Sequence, residues 1–243
     1  MQLAGRVALV TGAGQRLGRA VAAALASRGM RLAIHYHGSR AGAEALASEI
    51  IAGGGEAHCF PADLTDAHAA RALPGRVVER FGGLDVLVNS AAVMRHLGFE
   101  ETTVEAWDEI VNLNLRSVFF CTQGAAAALR AAHGKVVNIA DLGGLEPWPG
   151  YAAHSVSKAG VVMLTKVLAR ALAPGVTVNA VAPGTVLVPD SYDDAQRERL
   201  AAATPLARLG HPSDACNAVL YLLEQGDFVT GQTLVVDGGR ILR

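Results

Sequence analysis

The short apolar run Arg6-Val7-Ala8-Leu9-Val10 passes through Thr11-Gly12-Ala13-Gly14-Gln15-Arg16-Leu17-Gly18 into an Ala-rich stretch, Arg19 to Ser27, that holds neither Pro nor Gly. This order of strand, glycine turn and helix constrains the fold more than any other feature. A strand so apolar must be covered on both faces, which points to a parallel sheet between two layers of helices. Glycines let the backbone turn tightly and come close to an anion, while the free N–H groups and positive dipole end of the next helix face it. The expected ligand is a dinucleotide pyrophosphate, held by Gly12, Gly14, Gln15, Arg16, Leu17 and Gly18.

Gly12, Gly14 and Gly18 are spaced G-x-G-x-x-x-G, unlike the G-x-G-x-x-G of most dinucleotide-binding units, where a carboxylate some 20 residues on takes the ribose 2′-hydroxyl. No acidic residue precedes Glu44. A second strand, Arg31 to Ile34, instead ends in His35-Tyr36-His37-Gly38-Ser39-Arg40, a set of donors. These suit a 2′-phosphate, so the expected cofactor is NADP(H), with Tyr36, His37, Ser39 and Arg40 around the phosphate. A solvated basic turn is the alternative.

At 243 residues, with no Pro/Ser-rich linker, one domain is expected. A hydrophobic content of 51% with 18% charged residues supplies a large core. No apolar run reaches the roughly 18 residues of a membrane span, so no membrane partner is expected. Met1 to Arg6 shows no signal or transit pattern, which points to a cytoplasmic protein. A net charge of −1 argues against nucleic acid as the partner. Cys59, Cys121 and Cys216 lie far apart, outside any metal or redox spacing, and read as buried small hydrophobes; no metal site is expected.

The β-α alternation continues throughout. Helical periodicity covers Ala41 to Ala52, a third strand Ala57 to Phe60, and a helix about Asp66 to Phe81 with Thr65 as its cap. A buried strand, Leu84 to Val88, precedes Asn89 and the small residues Ser90 to Ala92. Two helices are expected between Val104 and Ala132, the second starting near Trp107. Then come a strand Lys135 to Ile139, a helix Tyr151 to Leu172, a strand Val176 to Val181, helices about Asp193 to Ala203 and Ser213 to Leu223, and a strand Thr233 to Val236. The expected fold class is α/β: a single-domain, Rossmann-like, doubly wound parallel sheet of about seven strands, with ligands at the carboxyl edge.

Asp141 follows the strand ending at Ile139, and thirteen residues later His154 precedes Lys158 by one helical turn. With the glycine turn, Asn89, Asn114 and Pro183-Gly184, this layout resembles the short-chain dehydrogenase/reductase family over essentially the whole chain. The resemblance implies an Asn, Ser, Tyr and Lys catalytic set, whose positions are held here by Asn114, Asp141, His154 and Lys158. Two of the four depart. Arg16 and Asp141 match the pteridine reductases and dihydromonapterin reductases of the family, as does the His-Tyr-His stretch. The end of the chain, through Leu242-Arg243, is also similar to theirs. That likeness implies hydride transfer from NADPH to a C=N or C=O bond of a small molecule, dihydropterin-like by preference. A small ketone or sugar derivative is the alternative within enzymes, and an NADP(H)-binding sensor or partner subunit the alternative outside them.

The resemblance further implies that Asp63, Leu64, Asn89, Ala91, Pro183, Gly184 and Thr185 join the cofactor site, that Lys158 holds the ribose, and that Asn114 holds a water or the helix beside Lys158. It places Arg16 between pyrophosphate and substrate. It also implies a substrate-covering loop at about 185–205 bearing Tyr192, and a homotetramer or homodimer packed through the long helices. Met94 stands where an aromatic ring stacks on pterin. Trp148, between Pro147 and Pro149, is either a pocket wall or a surface staple. Three roles are open to His154: a replacement acid working with Asp141, the mark of a binding protein with little turnover, or a bystander to another donor such as Tyr151 or Tyr192.

Overall fold

Every residue of β1 (Val7–Val10) and of β4 (Val86–Asn89) is buried, as strands covered on both faces must be. The computed structural model describes residues 1–188 and 192–242. Among these, β1 and β4 are joined by β2 (Arg31–Tyr36), β3 (Ala57–Pro61), β5 (Lys135–Ile139), β6 (Thr177–Pro183) and β7 (Thr233–Val236). The seven strands form one sheet, ordered β3-β2-β1-β4-β5-β6-β7, with every pairing parallel. From β1 the chain winds outward to β3, returns, and winds the other way from β4. The loops after β1 and β4 therefore part in opposite directions and leave a crevice at the carboxyl edge.

Helices α1 (Arg16–Ala26), α2 (Arg40–Ala52) and α8 (Pro212–Glu224) cover one face, with Val21, Leu25, Leu46, Val219 and Leu223 in its core. Helices α3 (Ala67–Phe81), α5 (Ser117–Ala131) and α6 (Ala152–Leu172) cover the other, through Leu73, Val77, Leu129, Leu168 and Leu172. A shorter α4 (Val104–Val111) leads into α5, and α7 (Asp194–Ala202) lies in the expected covering segment. No described helix is long and apolar enough to cross a membrane.

Several local expectations are corrected. Between Val104 and Ala131 no second helix starts at Trp107, which lies inside α4; a π-helical turn, Asn112–Arg116, joins α4 to α5 instead. Such a turn inserts an extra residue without interrupting the rod, so the hydrophobic period slips where a break was expected. Asp66, not Thr65, caps α3, accepting from His68 N at 2.8 Å, while the Thr65 hydroxyl donates to Asp63. Strand β4 begins two residues later than expected because Asp85 accepts from Val7 N and Arg6 across the bottom of the sheet. Strand β6 runs on to Pro183, which pairs with Val236. Cys121 and Cys216 are buried, but Cys59 is only half-buried, since β3 is an edge strand. Pro189, Asp190 and Ser191 of the expected covering loop, and Arg243, lie outside the described residues.

Candidate functional site

The turn after β1 is held from two sides. The Thr11 hydroxyl accepts from Ser90 N at 2.9 Å and Ala91 N at 3.0 Å, tying it to the end of β4. On the other side Gly12 N donates to His35 Nδ1 at 3.0 Å, and Ala13 N to His35 O at 2.8 Å. Because Gly12 supplies the proton of the first bond, the ring hydrogen lies on Nε2, which donates to Ala62 O at 3.1 Å. Gly12 has φ +66°, and a Cβ there would stand 2.8 Å from Ala91 Cα. A Cβ on Gly18 would stand 2.3 Å from Gly12 O. Both positions exclude a side chain.

Burial pushes the His35 ring down to about 4, against a hydrogen bond to Ala62 that favours the charged form; His37 and Arg76 lower it further and Asp63 opposes them. The unfolded chain, with an ordinary histidine near 6.5, binds this proton first. Stability contributed by neutral His35 is thus fully present above about pH 6.5 and is lost as the pH falls toward 4. The difference amounts to about 3 kcal/mol. Urea unfolding between these pH values is expected to show that extra slope in wild type and not in His35→Asn.

A cleft of about 1130 Å³ opens above these elements, lined by Gly12, Gln15, Arg16, Leu17 and Gly18 from the turn and by His37 and Ser39 after β2. Asp63, Leu64 and Ala91 join them, as do Pro183 and Gly184. Hydrogen bonds from the hydroxyl and amide of Thr65 hold Asp63 below the usual carboxylate range, against a small burial effect. The remaining expected cofactor residues stand elsewhere. Gly14 packs on Ser39 beneath the turn. Tyr36 is buried in the sheet. Arg40 is 74% exposed and donates from Nε to Glu44 at 2.7 Å, one turn along α2. Asn89 belongs to a buried polar ladder, donating to Asn138 at 2.9 Å and Thr122 at 3.2 Å, while Asn138 donates to Thr165. The Thr185 hydroxyl accepts from Arg240 at 2.7 Å.

The far end of the cleft holds Asp141, His154 and Lys158. His154 Nε2 meets Asp141 Oδ2 at 2.6 Å. Its side chain is 2% exposed, that of Asp141 21%. His154 Nδ1 stands 3.3 Å from both Val93 O and Asn114 Nδ2. Asn114 has only two amide hydrogens, and Val93 O at 2.9 Å and Ser157 Oγ at 3.1 Å are nearer claimants. Nδ1 therefore has room to carry a proton toward Val93 O, and the pocket accepts a ring protonated on both nitrogens. Asn114, in the π-helical turn, also accepts from Val93 N at 2.8 Å. It fixes the segment after β4 against α6.

Lys158 donates to Ile139 O at 2.7 Å, and burial lowers its pKa although Asp141 opposes this. For Asp141 burial alone would favour the neutral acid. The His154 hydrogen bond and the nearby Lys158 charge outweigh it and hold the carboxyl below its usual range. The other oxygen, Oδ1, is buried without a partner. Gly143 is glycine for a local reason, since a Cβ there would stand 2.8 Å from the Trp148 ring and 3.1 Å from Asp141 Oδ1.

Of the expected substrate residues, Met94 lines the cleft and is 55% exposed. Trp148 and Tyr151 do not line it. Trp148 lies parallel to the His154 ring, centroids 6.3 Å apart, and meets Tyr151 edge-on, which in turn meets His96. These aromatics form a wall behind the histidine, tied to the segment after β4 by Leu97 N donating to Gly150 O at 2.9 Å. Tyr192 is likewise not among the lining residues; its carbonyl accepts from Arg197 Nε. Sequence reasoning missed Val93, Glu109, Leu113 and Val186, which also line the cleft. Glu109 and Leu113 are four apart across the start of the π-helical turn, a helical spacing that carries no chemical signature. Among the described residues no group of three His, Cys, Asp or Glu could hold a metal.

A family model described as enoyl-(acyl carrier protein) reductase matches residues 12–240. The chain is 40% identical over 237 residues to a 3-oxoacyl-(acyl-carrier-protein) reductase of Staphylococcus aureus, covering 96% of each chain. A dehydrogenase/reductase of Sinorhizobium meliloti superposes with a TM-score of 0.90 at 39% identity, over 98% of this chain and 97% of that one. A blue fluorescent protein from a metagenomic library, solved in complex with NADPH, gives a TM-score of 0.92 at 30% identity over 99% of both.

Proposed function

The chain belongs to the short-chain dehydrogenase/reductase family, and on that footing we propose that it is an NADPH-dependent reductase of a C=N or C=O bond in a small molecule. The Asp141–His154 pair, closed at 2.6 Å and opening into the cleft beside Lys158, is the observation that carries this reading. The glycine turn fits the cofactor: Gly12 and Gly18 leave a cradle that a Cβ would fill, and the Gln15 side chain makes no cap bond at the start of α1. When bound, NADPH supplies the hydride. Asp63, Leu64 and Ala91 lie on the walls of the same cleft, and Lys158 is the cation available to the ribose.

The chain itself supplies the proton. Asp141, held ionised, takes it from His154 Nε2 onto Oδ2 and passes it to the nitrogen or oxygen that gains electrons; a proton from solvent then returns to His154 through the carboxyl, the more exposed member of the pair. Asp141 is the terminal donor because His154 is almost wholly buried with both ring nitrogens engaged. A carboxylate in the cleft also raises the basicity of a nearby C=N nitrogen and disfavours a developing alkoxide. This favours a dihydropterin-like heterocycle, lying between Arg16 and Met94. The Staphylococcus aureus relative carries 3-oxoacyl reductase activity in its name, and the second reading, supported by 40% identity to it, is a 3-oxoacyl thioester. NADPH consumption with dihydrobiopterin, acetoacetyl-CoA and small ketones, for wild type and His154→Tyr, tests both. Turnover of the pterin by wild type supports the first reading. Turnover of the thioester alone replaces it with the second, and silence of wild type beside an active His154→Tyr removes the relay.

For the 2′-phosphate we assign His37 and Ser39 in the cleft wall, joined by Arg40 once it leaves Glu44. An exposed pair of this kind is weak and screened, so a phosphate dianion competes for the guanidinium easily. Arg40→Ala is expected to raise the KM for NADPH about tenfold and to leave that for NADH unchanged. A wild type preferring NADH would contradict the assignment. Exposed Phe119 on α5 and Val156, Met163 and Val167 on α6 suit packing of copies through these helices into a homotetramer or homodimer, which light scattering of the purified protein tells apart.

A further inference from the structure

His35, on the floor of the cleft, is only 2% exposed and joins three segments. Its Nδ1 accepts from Gly12 N, its carbonyl from Ala13 N, and its Nε2–H donates to Ala62 O in the segment leaving β3. The first two amides after Thr11 are thereby turned inward. The donors left for an anion are those at the start of α1, from Gln15 onward. An apolar residue at position 35 would leave Gly12 N and Ala62 O without these partners at a partly buried place, and the turn would be free to move. Gly12, at φ +66° and close against Ala91, has little room to settle elsewhere.

We propose that His35 is a positioning residue for the cofactor: through its Nδ1 acceptor it fixes the Gly12 peptide, and so sets where the helix-start amides meet the pyrophosphate. The inference rests on the reading of the cleft as an NADP(H) site. It assigns a distinct task to each ring nitrogen, Nδ1 to the turn and Nε2 to the exit of β3.

Three variants separate these tasks. Asn at position 35 places an oxygen near Nδ1 and keeps the acceptor for Gly12 but falls short of Ala62. Gln reaches Ala62 and loses Gly12. Leu loses both. NADPH binding followed by its fluorescence is expected to leave the Kd of His35→Asn within about threefold of wild type, and to raise that of His35→Gln and His35→Leu about tenfold or more. Melting temperatures of the free proteins accompany each titration, because a purely structural role would lower stability in all three variants without ordering their affinities this way. Equal affinities for Asn and Gln, or a Leu variant binding like wild type, overturn the proposal while leaving the cofactor reading intact. A wild type that does not bind NADPH overturns both.

Should the variants fail to fold, wild type labelled with ¹⁵N-histidine decides the matter. His35 is expected to show an unprotonated Nδ1 and a protonated Nε2, and its Nδ1 resonance to move on adding NADPH. The opposite tautomer, or a resonance indifferent to NADPH, sinks the proposal.

Discussion

Asp141→Asn is expected to lower kcat about 10²- to 10⁴-fold, with the Kd for NADPH within about twofold of wild type. The amide keeps the size of the carboxyl and can still accept from His154 Nε2, now 2.6 Å from Oδ2. What it loses is the ability to take up and release a proton, and the charge that draws one from the imidazole. His154 cannot replace it directly, since 2% of its side chain is exposed and Val93 O and Asn114 stand on its other nitrogen. The fold is expected to survive at some cost in stability, because the His154 hydrogen bond and the Lys158 charge outweigh burial and folding favours the ionised carboxyl. Stopped-flow turnover together with NADPH titration checks this. A variant retaining more than about a tenth of wild-type kcat would remove Asp141 from the proton path.

Lys158→Met is expected to do the opposite to stability and the same to activity. Lys158 donates one bond, to Ile139 O, from a site where burial depresses its pKa. Its folded-state pKa lies below the unfolded value, so the unfolded chain holds the proton more tightly and the charged lysine costs stability at every pH below that window; stability rises with pH through it. Replacing a buried ion by an apolar residue of like volume is neutral or stabilising by about 1–4 kcal/mol, and the orphaned Ile139 carbonyl offsets about 1 kcal/mol of that. The melting temperature is therefore expected to hold or rise by a few degrees. kcat/KM is expected to fall at least about a hundredfold, through loss of the cation that charges Asp141 and meets the cofactor. A marked loss of thermal stability would show that Lys158 is chiefly structural. The alkaline limb of the stability profile is expected to flatten in the variant.

The two substitutions bear on parts of the site that were legible to different degrees. Spacing put His154 and Lys158 on one helix face and Asp141 at the end of a strand, and the resemblance to the short-chain dehydrogenase/reductase family implied that the three act together. Which of them is the more exposed to the cleft did not follow. Trp148 and Tyr151 are near in sequence to the cleft but pack behind His154, because the segment they occupy is tied back onto Leu97. Arg40 sits one residue past Ser39 and yet faces Glu44, since α2 begins there and turns the side chain along its own surface.

From its sequence alone the chain determined the β-α alternation, the parallel sheet and the glycine turn. Each rests on local period or on backbone geometry that favours glycine, and neither depends on distant partners. Tertiary structure alone decided that Asn114 lies in a π-helical turn bonded to Val93, that His35 grips Gly12, and that Asp141 is the more exposed of the two where it and His154 line the cleft. Those outcomes depend on hydrogen bonds between residues 21 and 23 positions apart, or on burial set by several elements at once. No local pattern encodes either.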